Sequence, residues 1–282
     1  MSPTHLILGC GYLGRVVARL WLADGRRVVA LTRSRADELR FLGIGPIVGD
    51  VTDPASLMLP AADTVLYAVG RDRSAAKPMR EVYVRGLSNT LDVLPAPRRF
   101  VYVSSTSVYG QTDGGWVDES SPTEPGDESG RIVLECERLL RERLPAAIIL
   151  RFAGIYGPGR IIKRAALEKG EPLATDPDRR INLIHVEDGA RTVVAGAERG
   201  QLGTTYNVAD GRPVTRREYY TALAEFLGAP PPRFEPTPAS GSRQDRTDRR
   251  VSNRRLRDEL GVELDYPDFK AGLKAAAANS HG

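Results

Sequence analysis

Cysteine is scarce: Cys10 and Cys136 are the only two among 282 residues. A lone pair without metal-ligand spacing excludes a disulfide-stapled scaffold, and two reduced thiols imply the cytoplasm. Long hydrophobic runs are missing too. The opening MSPTHLILGC has no basic n-region, and Gly9 and Gly11 cut its apolar stretch, which predicts neither a signal peptide nor a membrane span. No solenoid-type repeat or low-complexity tract is visible. No cluster of histidine, cysteine and carboxylate has the spacing of metal ligands, so no metal is expected. Charge of one sign is not concentrated either, since 40 basic and 36 acidic residues, a net +4, are interleaved. The densest basic stretch, Arg243 to Arg257, is diluted by Asp245 and Asp248. It reads as a solvated face, and no nucleic-acid partner is expected.

What is present is an ordinary soluble globular composition, 41% hydrophobic and 27% charged, in a chain long enough for one elaborated α/β domain or two joined lobes. Short runs rich in Val, Ile and Leu alternate with amphipathic helical stretches. They are Leu6 to Leu8, Val28 to Leu31, Ile47 to Val48, Thr64 to Val69, Phe100 to Val103 and Ala147 to Leu150. That alternation predicts a Rossmann-type, doubly wound parallel sheet covered by helices on both faces. After Tyr156 the pattern changes to Gly/Pro-rich loops, broken by helices such as the one a Thr215/Glu218 capping box opens. The expected organisation is a dinucleotide-binding domain over 1–156, completed by about 181–210, with 157–180 and 211–282 forming a smaller substrate lobe.

Directly after Leu6-Ile7-Leu8 comes Gly9-Cys10-Gly11-Tyr12-Leu13-Gly14, a GxGxxG that opens an amphipathic helix. The first glycine serves a tight turn, the second lets backbone approach a pyrophosphate, and the third lets helix pack on strand. The helix N-terminus then offers free N–H groups and the positive end of its dipole. The second strand ends in Thr32-Arg33-Ser34-Arg35 rather than in a carboxylate. An arginine there pairs with a 2′-phosphate where an acidic residue would hold a ribose hydroxyl, so NADP(H) is favoured over NAD(H). Asp50, beside Val51 in Gly49-Asp50-Val51-Thr52-Asp53, is the expected acceptor for the adenine amino group, while Asp53 suits a helix cap. Ala68, Val69 and Gly70 end the fourth strand with small residues against which the cofactor can lie.

The ordered pieces GCGYLG, GDVTD, VRGLSNTLDVL, FVYVSSTSVYG, LRFAGIYGPGR, INLIHVEDGA and TYNVADGRPVT make the chain resemble an extended short-chain dehydrogenase/reductase of the NAD-dependent epimerase/dehydratase type. The resemblance implies a catalytic hydroxyl at Ser105 with Thr106 beside it, and Phe152 and Ile155 along the nicotinamide pocket. Arg160, where the substrate lobe starts in relatives, would meet an anionic substrate. It also implies a structural role for His185, and a homodimer paired through helices of the dinucleotide domain. In such proteins a Tyr-x-x-x-Lys carries the proton, the lysine ammonium making the phenol usable near neutral pH. Here those positions fall on Ser129 and Val133, and Leu8 stands where relatives have glycine, so the site is atypical. Tyr266 and Lys270 have the right spacing, but Pro267 forbids a helix through the pair. Tyr109, four residues past Ser105, is the alternative phenol, either as acid or as packing residue.

Three functions stay open at this point. The first is an NAD(P)-dependent oxidoreductase or epimerase acting on a small oxygenated metabolite. The second is a cofactor-binding sensor or interaction protein without hydride chemistry. The third is a non-redox isomerase or dehydratase on the same fold.

Overall fold

The computed structural model describes residues 3–71, 77–235 and 247–278, so 243–246 of the basic run lie outside the described residues. Strands β1 (Thr4–Leu8), β2 (Arg27–Thr32), β3 (Gly45–Val48), β4 (Thr64–Tyr67) and β5 (Arg99–Ser105) join two later strands, Ile148–Phe152 and Thr205–Val208, in a seven-stranded sheet. Every pairing in it is parallel. Such a sheet must be covered on both sides, which is why Leu6, Ile7 and Leu8 are all fully buried despite pointing to alternate faces. Helix α1 (Tyr12–Ala23) and the helix Val186–Arg199 cover one face through Val17, Trp21 and Val193. On the other face, after α2 (Ala36–Phe41) has led into β3, α3 (Gly86–Val93) and α4 (Glu128–Arg143) pack Leu87, Cys136 and Leu140.

Across the sheet the order is Thr205–Val208, Ile148–Phe152, β5, β4, β1, β2, β3. The chain winds from β1 through β2 to β3, returns to the other side of β1, and winds away through β4 and β5. Reversal between β1 and β4 opens a crevice beyond their C-terminal ends, the switch point where Rossmann-type sheets take ligands.

Each expected strand shifts at one or both ends, and two of the shifts have evident physical reasons. β4 stops at Tyr67 instead of Val69, because the backbone of Ala68 and Val69 turns to lie against Gly9. The sixth strand runs on to Phe152 through Arg151, a buried guanidinium that interrupts the apolar run by which strands are recognised.

The rest of the chain forms small ladders above the C-terminal edge. Gly154–Tyr156 pairs with Leu183–His185, and Arg180–Ile181 with Val214–Thr215. The helix Arg216–Leu227 starts at the predicted capping box: Thr215 Oγ1 accepts from Glu218 N at 3.1 Å and the Glu218 carboxylate accepts from Thr215 N at 2.7 Å. Tyr156, Tyr219, Leu223, Phe269 and Leu273 close this part around its own core.

Candidate functional site

The glycine turn joins β1 to α1, and each glycine meets a different demand. Gly9 has φ +95°, and a Cβ built there falls 2.4 Å from the carbonyl carbon and oxygen of Ala68. At Gly14 a Cβ falls 2.6 Å from Gly9 O, so this glycine brings helix onto strand. Gly11 differs, since a Cβ there meets no protein atom within 4 Å, and the helix it precedes carries no side-chain cap. An uncapped N-terminus over open space leaves orphan N–H donors aimed where an anion can reach them. These residues fit a dinucleotide diphosphate.

A cleft of about 1290 Å³ runs from this turn along the C-terminal ends of β1, β2, β4 and β5 to Arg160, Ile181 and Tyr220. Every position expected to touch cofactor or substrate borders it, as does Ser105; Tyr109 alone does not. At the β2 end, Thr32 Oγ1 accepts from Arg35 N at 3.0 Å, and the Arg35 guanidinium crosses to Cys10 O at 3.3 Å. Arg33 and Ser34 are exposed on the rim. Next to them Asp50 accepts from Thr52 N at 2.9 Å and from Lys77 Nζ at 3.1 Å. Burial pushes the Asp50 carboxyl upward, but the Thr52 and Lys77 hydrogen bonds outweigh it and hold the group below its ordinary value. Asp53 caps a short helical turn through Ala55 N at 3.2 Å. Burial pushes the Cys10 thiol up to about 11, so it stays protonated near neutral pH.

Tyr12 joins the glycine turn to the loop at Pro158 and Arg160. Its hydroxyl donates to Pro158 O at 3.0 Å, and the Arg160 guanidinium lies 5.4 Å from its ring centroid.

At the far end, β5 delivers Ser105, whose Oγ accepts from Ser107 N at 3.2 Å and caps the turn Thr106–Val108. The first turns of α4 face it with Ser129 and Val133, both on the cleft wall. Ser129 Oγ donates to Asp127 at 2.8 Å, and Val133 packs against Val108 and Ala153.

The expectation for Tyr109 as acid is corrected. The turn at Thr106–Val108 swings its ring back into the core, where it is 1% exposed. Its hydroxyl donates to Asn207 Oδ1 at 2.9 Å and accepts from Arg151 Nη1 at 2.9 Å. Burial raises the phenol despite the nearby guanidinium. Tyr109→Phe should therefore leave any turnover within about twofold while costing about 1–3 kcal/mol of stability, because Arg151 loses an acceptor. Parallel rate and melting measurements read both.

Arg151 belongs to a buried chain that sequence reasoning missed. Its Nη2 and Nε donate to the Glu137 carboxylate at 2.7 and 3.0 Å, and Ser104 Oγ donates to the same carboxylate at 2.5 Å. Burial alone would lower the Arg151 guanidinium, but Glu137 outweighs it and holds the group above its usual value.

His185 is 1% exposed, caps its helix by accepting from Glu187 N at 3.3 Å, and has its ring centroid 3.8 Å from that of Tyr266 at a 43° tilt. Tyr266 does not border the cleft.

The basic run departs from a solvated face at Arg249, whereas Arg254 and Arg257 are exposed as expected. Arg249 is 7% exposed and donates to Thr106 O at 2.9 Å. Arg180 pairs with Asp248 at 3.1 Å, Arg216 donates to Thr247 O at 3.3 Å, and Asn182 holds Arg249 O at 2.9 Å and Val251 N at 2.8 Å. Segment 247–251 is thereby fastened across the cleft as one of its walls. Among the described residues no group of three or more His, Cys, Asp or Glu could hold a metal, and no helix is long and apolar enough to cross a membrane.

Sheet order, glycine turn and cleft together define a Rossmann-type protein with a site that fits a dinucleotide. The sequence model of the NAD dependent epimerase/dehydratase family matches residues 5–209, and the chain belongs to that family. Protein YeeZ of Escherichia coli (strain K12) is 33% identical over 277 residues, 93% of this chain and 96% of that one. The 2-alkyl-3-oxoalkanoate reductase of Stenotrophomonas maltophilia is 25% identical over 252 residues, 79% of this chain and 74% of its own. Among solved structures, a conserved protein from Silicibacter pomeroyi superposes with a TM-score of 0.81 at 30% identity over the whole of both chains. The UDP-glucose 4-epimerase of Thermus thermophilus shares the fold, with a TM-score of 0.81 over 99% of both chains at 21% identity.

Proposed function

We propose that the protein is an NADP(H)-dependent oxidoreductase acting on the carbonyl or alcohol of a small metabolite, with Ser105 holding the reacting oxygen. The observation that carries this reading is the single cleft joining the uncapped N-terminus of α1 to the Ser105 hydroxyl. Relatives named as reductases support oxidoreduction. In the reducing direction the bound nicotinamide supplies a hydride to the carbonyl carbon and is itself oxidised. Ser105 orients the oxygen and Thr106 flanks it. The proton that oxygen gains comes from solvent, because Tyr109 is withdrawn into the core. In this reading the dinucleotide occupies 1–156 completed by 181–210, and 157–180 with 211–282 form the substrate lobe, entered at Arg160. Buried free thiols suit a cytoplasmic setting, and the family resemblance supports a homodimer.

The cofactor preference rests on Arg33 and Arg35 at the β2 end, where the strand itself ends without a carboxylate. Calorimetric titration should give NADPH about tenfold tighter binding than NADH, the size of one charge-assisted contact. Arg33→Ala with Arg35→Ala should bring the two together. Equal affinities in the wild-type protein would remove the NADP assignment. Ser105→Ala should cut turnover about a hundredfold with cofactor affinity unchanged, a loss on the scale of one oriented polar group; an unchanged rate removes Ser105.

Ser129 and Val133 favour one rival, a protein that binds the dinucleotide without transferring hydride. Intact NADPH binding with no NADPH oxidation across a broad carbonyl panel would select that rival.

A further inference from the structure

Helix α1 meets the cleft with a positive end that no acidic group of its own offsets. Its first turn carries no Asp or Glu, and no side chain caps it. Tyr12, the first residue of that turn, brings a second positive charge to the same place, because the Arg160 guanidinium lies 5.4 Å from its ring centroid. A cation beside the positive end of a helix dipole is the reverse of the pairing that stabilises helix ends. Among the described residues no hydrogen bond or ion pair engages the Arg160 side chain. Glu187, the carboxylate whose charge is felt at Tyr12, is paired with Arg19 at 2.5 Å.

The turn that carries Arg160 is held close to α1. Gly157 and Arg160 exchange backbone hydrogen bonds at 3.1 and 3.0 Å, and Tyr12 Oη donates to Pro158 O between them at 3.0 Å. A Cβ at Gly157 would fall 2.8 Å from Tyr12 Oη and 2.9 Å from Val186 Cγ1, so glycine is what lets the turn sit there. The Tyr12 ring then serves as a shelf that orients the guanidinium without neutralising it. Arg160 and the turn Gly11–Leu13 border the same cleft. Two sources of positive potential at one helix end, with no protein anion between them, suit a ligand group that carries more than one negative charge. We propose that Arg160 clamps the diphosphate of the bound dinucleotide against the N-terminus of α1, instead of receiving an anionic group of the substrate. The proposal rests on the cofactor reading of the glycine turn. Its consequence is that the cofactor, once bound, fastens the 157–160 turn at the cleft entrance.

Calorimetric titration of the full-length protein with NADPH, NADH and ADP-ribose, beside thermal melting, tests the clamp. ADP-ribose carries the diphosphate without nicotinamide, and NADH carries it without the 2′-phosphate. Arg160→Ala should weaken all three by a similar factor of about ten, the size of one charge-assisted contact. Arg160→Lys should recover part of the loss, and wild-type binding should fall more steeply with added salt than binding to Arg160→Ala. Without ligand, Arg160→Ala should melt no lower than the wild type, because the charge it removes has no partner to lose. Wild-type affinity for all three ligands in Arg160→Ala overturns the proposal and returns Arg160 to the substrate. A loss confined to NADPH overturns it as well, since Arg160 would then address the 2′-phosphate. A lower melting temperature of the ligand-free variant would make Arg160 a packing residue and also overturn the clamp. If the wild-type protein itself bound none of the three, the cofactor reading would fail first, an outcome distinct from intact wild-type binding that Arg160→Ala leaves unaltered.

Discussion

Gly11→Ala should lower the melting temperature of the protein only slightly and weaken its grip on nicotinamide dinucleotides by about a hundredfold or more, roughly 3 kcal/mol. The two halves of that result have separate causes. Gly11 has a negative φ of −91° with ψ at −144°, and its added methyl meets no protein atom within 4 Å. Folding therefore loses only what that ψ costs an alanine. The space the methyl enters is the mouth of the uncapped helix, where a diphosphate has to approach the backbone closely to use its N–H donors. Gly9→Ala gives the contrasting outcome. Its φ of +95° and the 2.4 Å approach to Ala68 force the turn itself to move, so stability and binding fall together. Calorimetric titration and thermal melting of both variants check this. Were Gly11→Ala to bind as the wild type does, no diphosphate would lie on this turn and the cofactor assignment would go with it.

The glycine turn was legible in the sequence because everything that defines it is local: strand, turn and helix follow one another within about twenty residues. Thr215 with Glu218 was legible for the same reason. What escaped reading depends on contacts between remote positions. Arg249 looks like one member of a diluted basic run until Thr106, 143 residues away, is brought beside it. Tyr109 looks adjacent to Ser105 in the chain, but one helical turn between them sends the two side chains to opposite sides of the β5 end. Glu137 and Arg151 each carry a charge in a segment otherwise read by its apolar residues. Local patterns report which face of an element is oily; they do not report that two charges will be buried against one another.

That buried pair sets the second large expectation. Glu137→Ala should destabilise the protein by about 3–5 kcal/mol, because Arg151 would keep its buried charge with the Tyr109 hydroxyl as its remaining hydrogen-bond partner among the described residues. The side chains are 5% and 9% exposed, so solvent cannot screen the loss. Removing both charges at once with Glu137→Met and Arg151→Met should cost less than removing either alone, since desolvation of the pair is then no longer demanded. A second consequence reaches the site. Glu137 also anchors Ser104, and β5 carries Ser104 immediately before Ser105, so loss of the carboxylate frees the strand end that presents the Ser105 hydroxyl. Glu137→Gln should keep most of the hydrogen bonds and a larger share of turnover than Glu137→Ala. Chemical denaturation of the two single variants and the double variant measures the coupling directly. If the double variant is as unstable as the sum of its parts, the pair acts as two independent packing residues, and the anchoring of β5 through Glu137 is wrong.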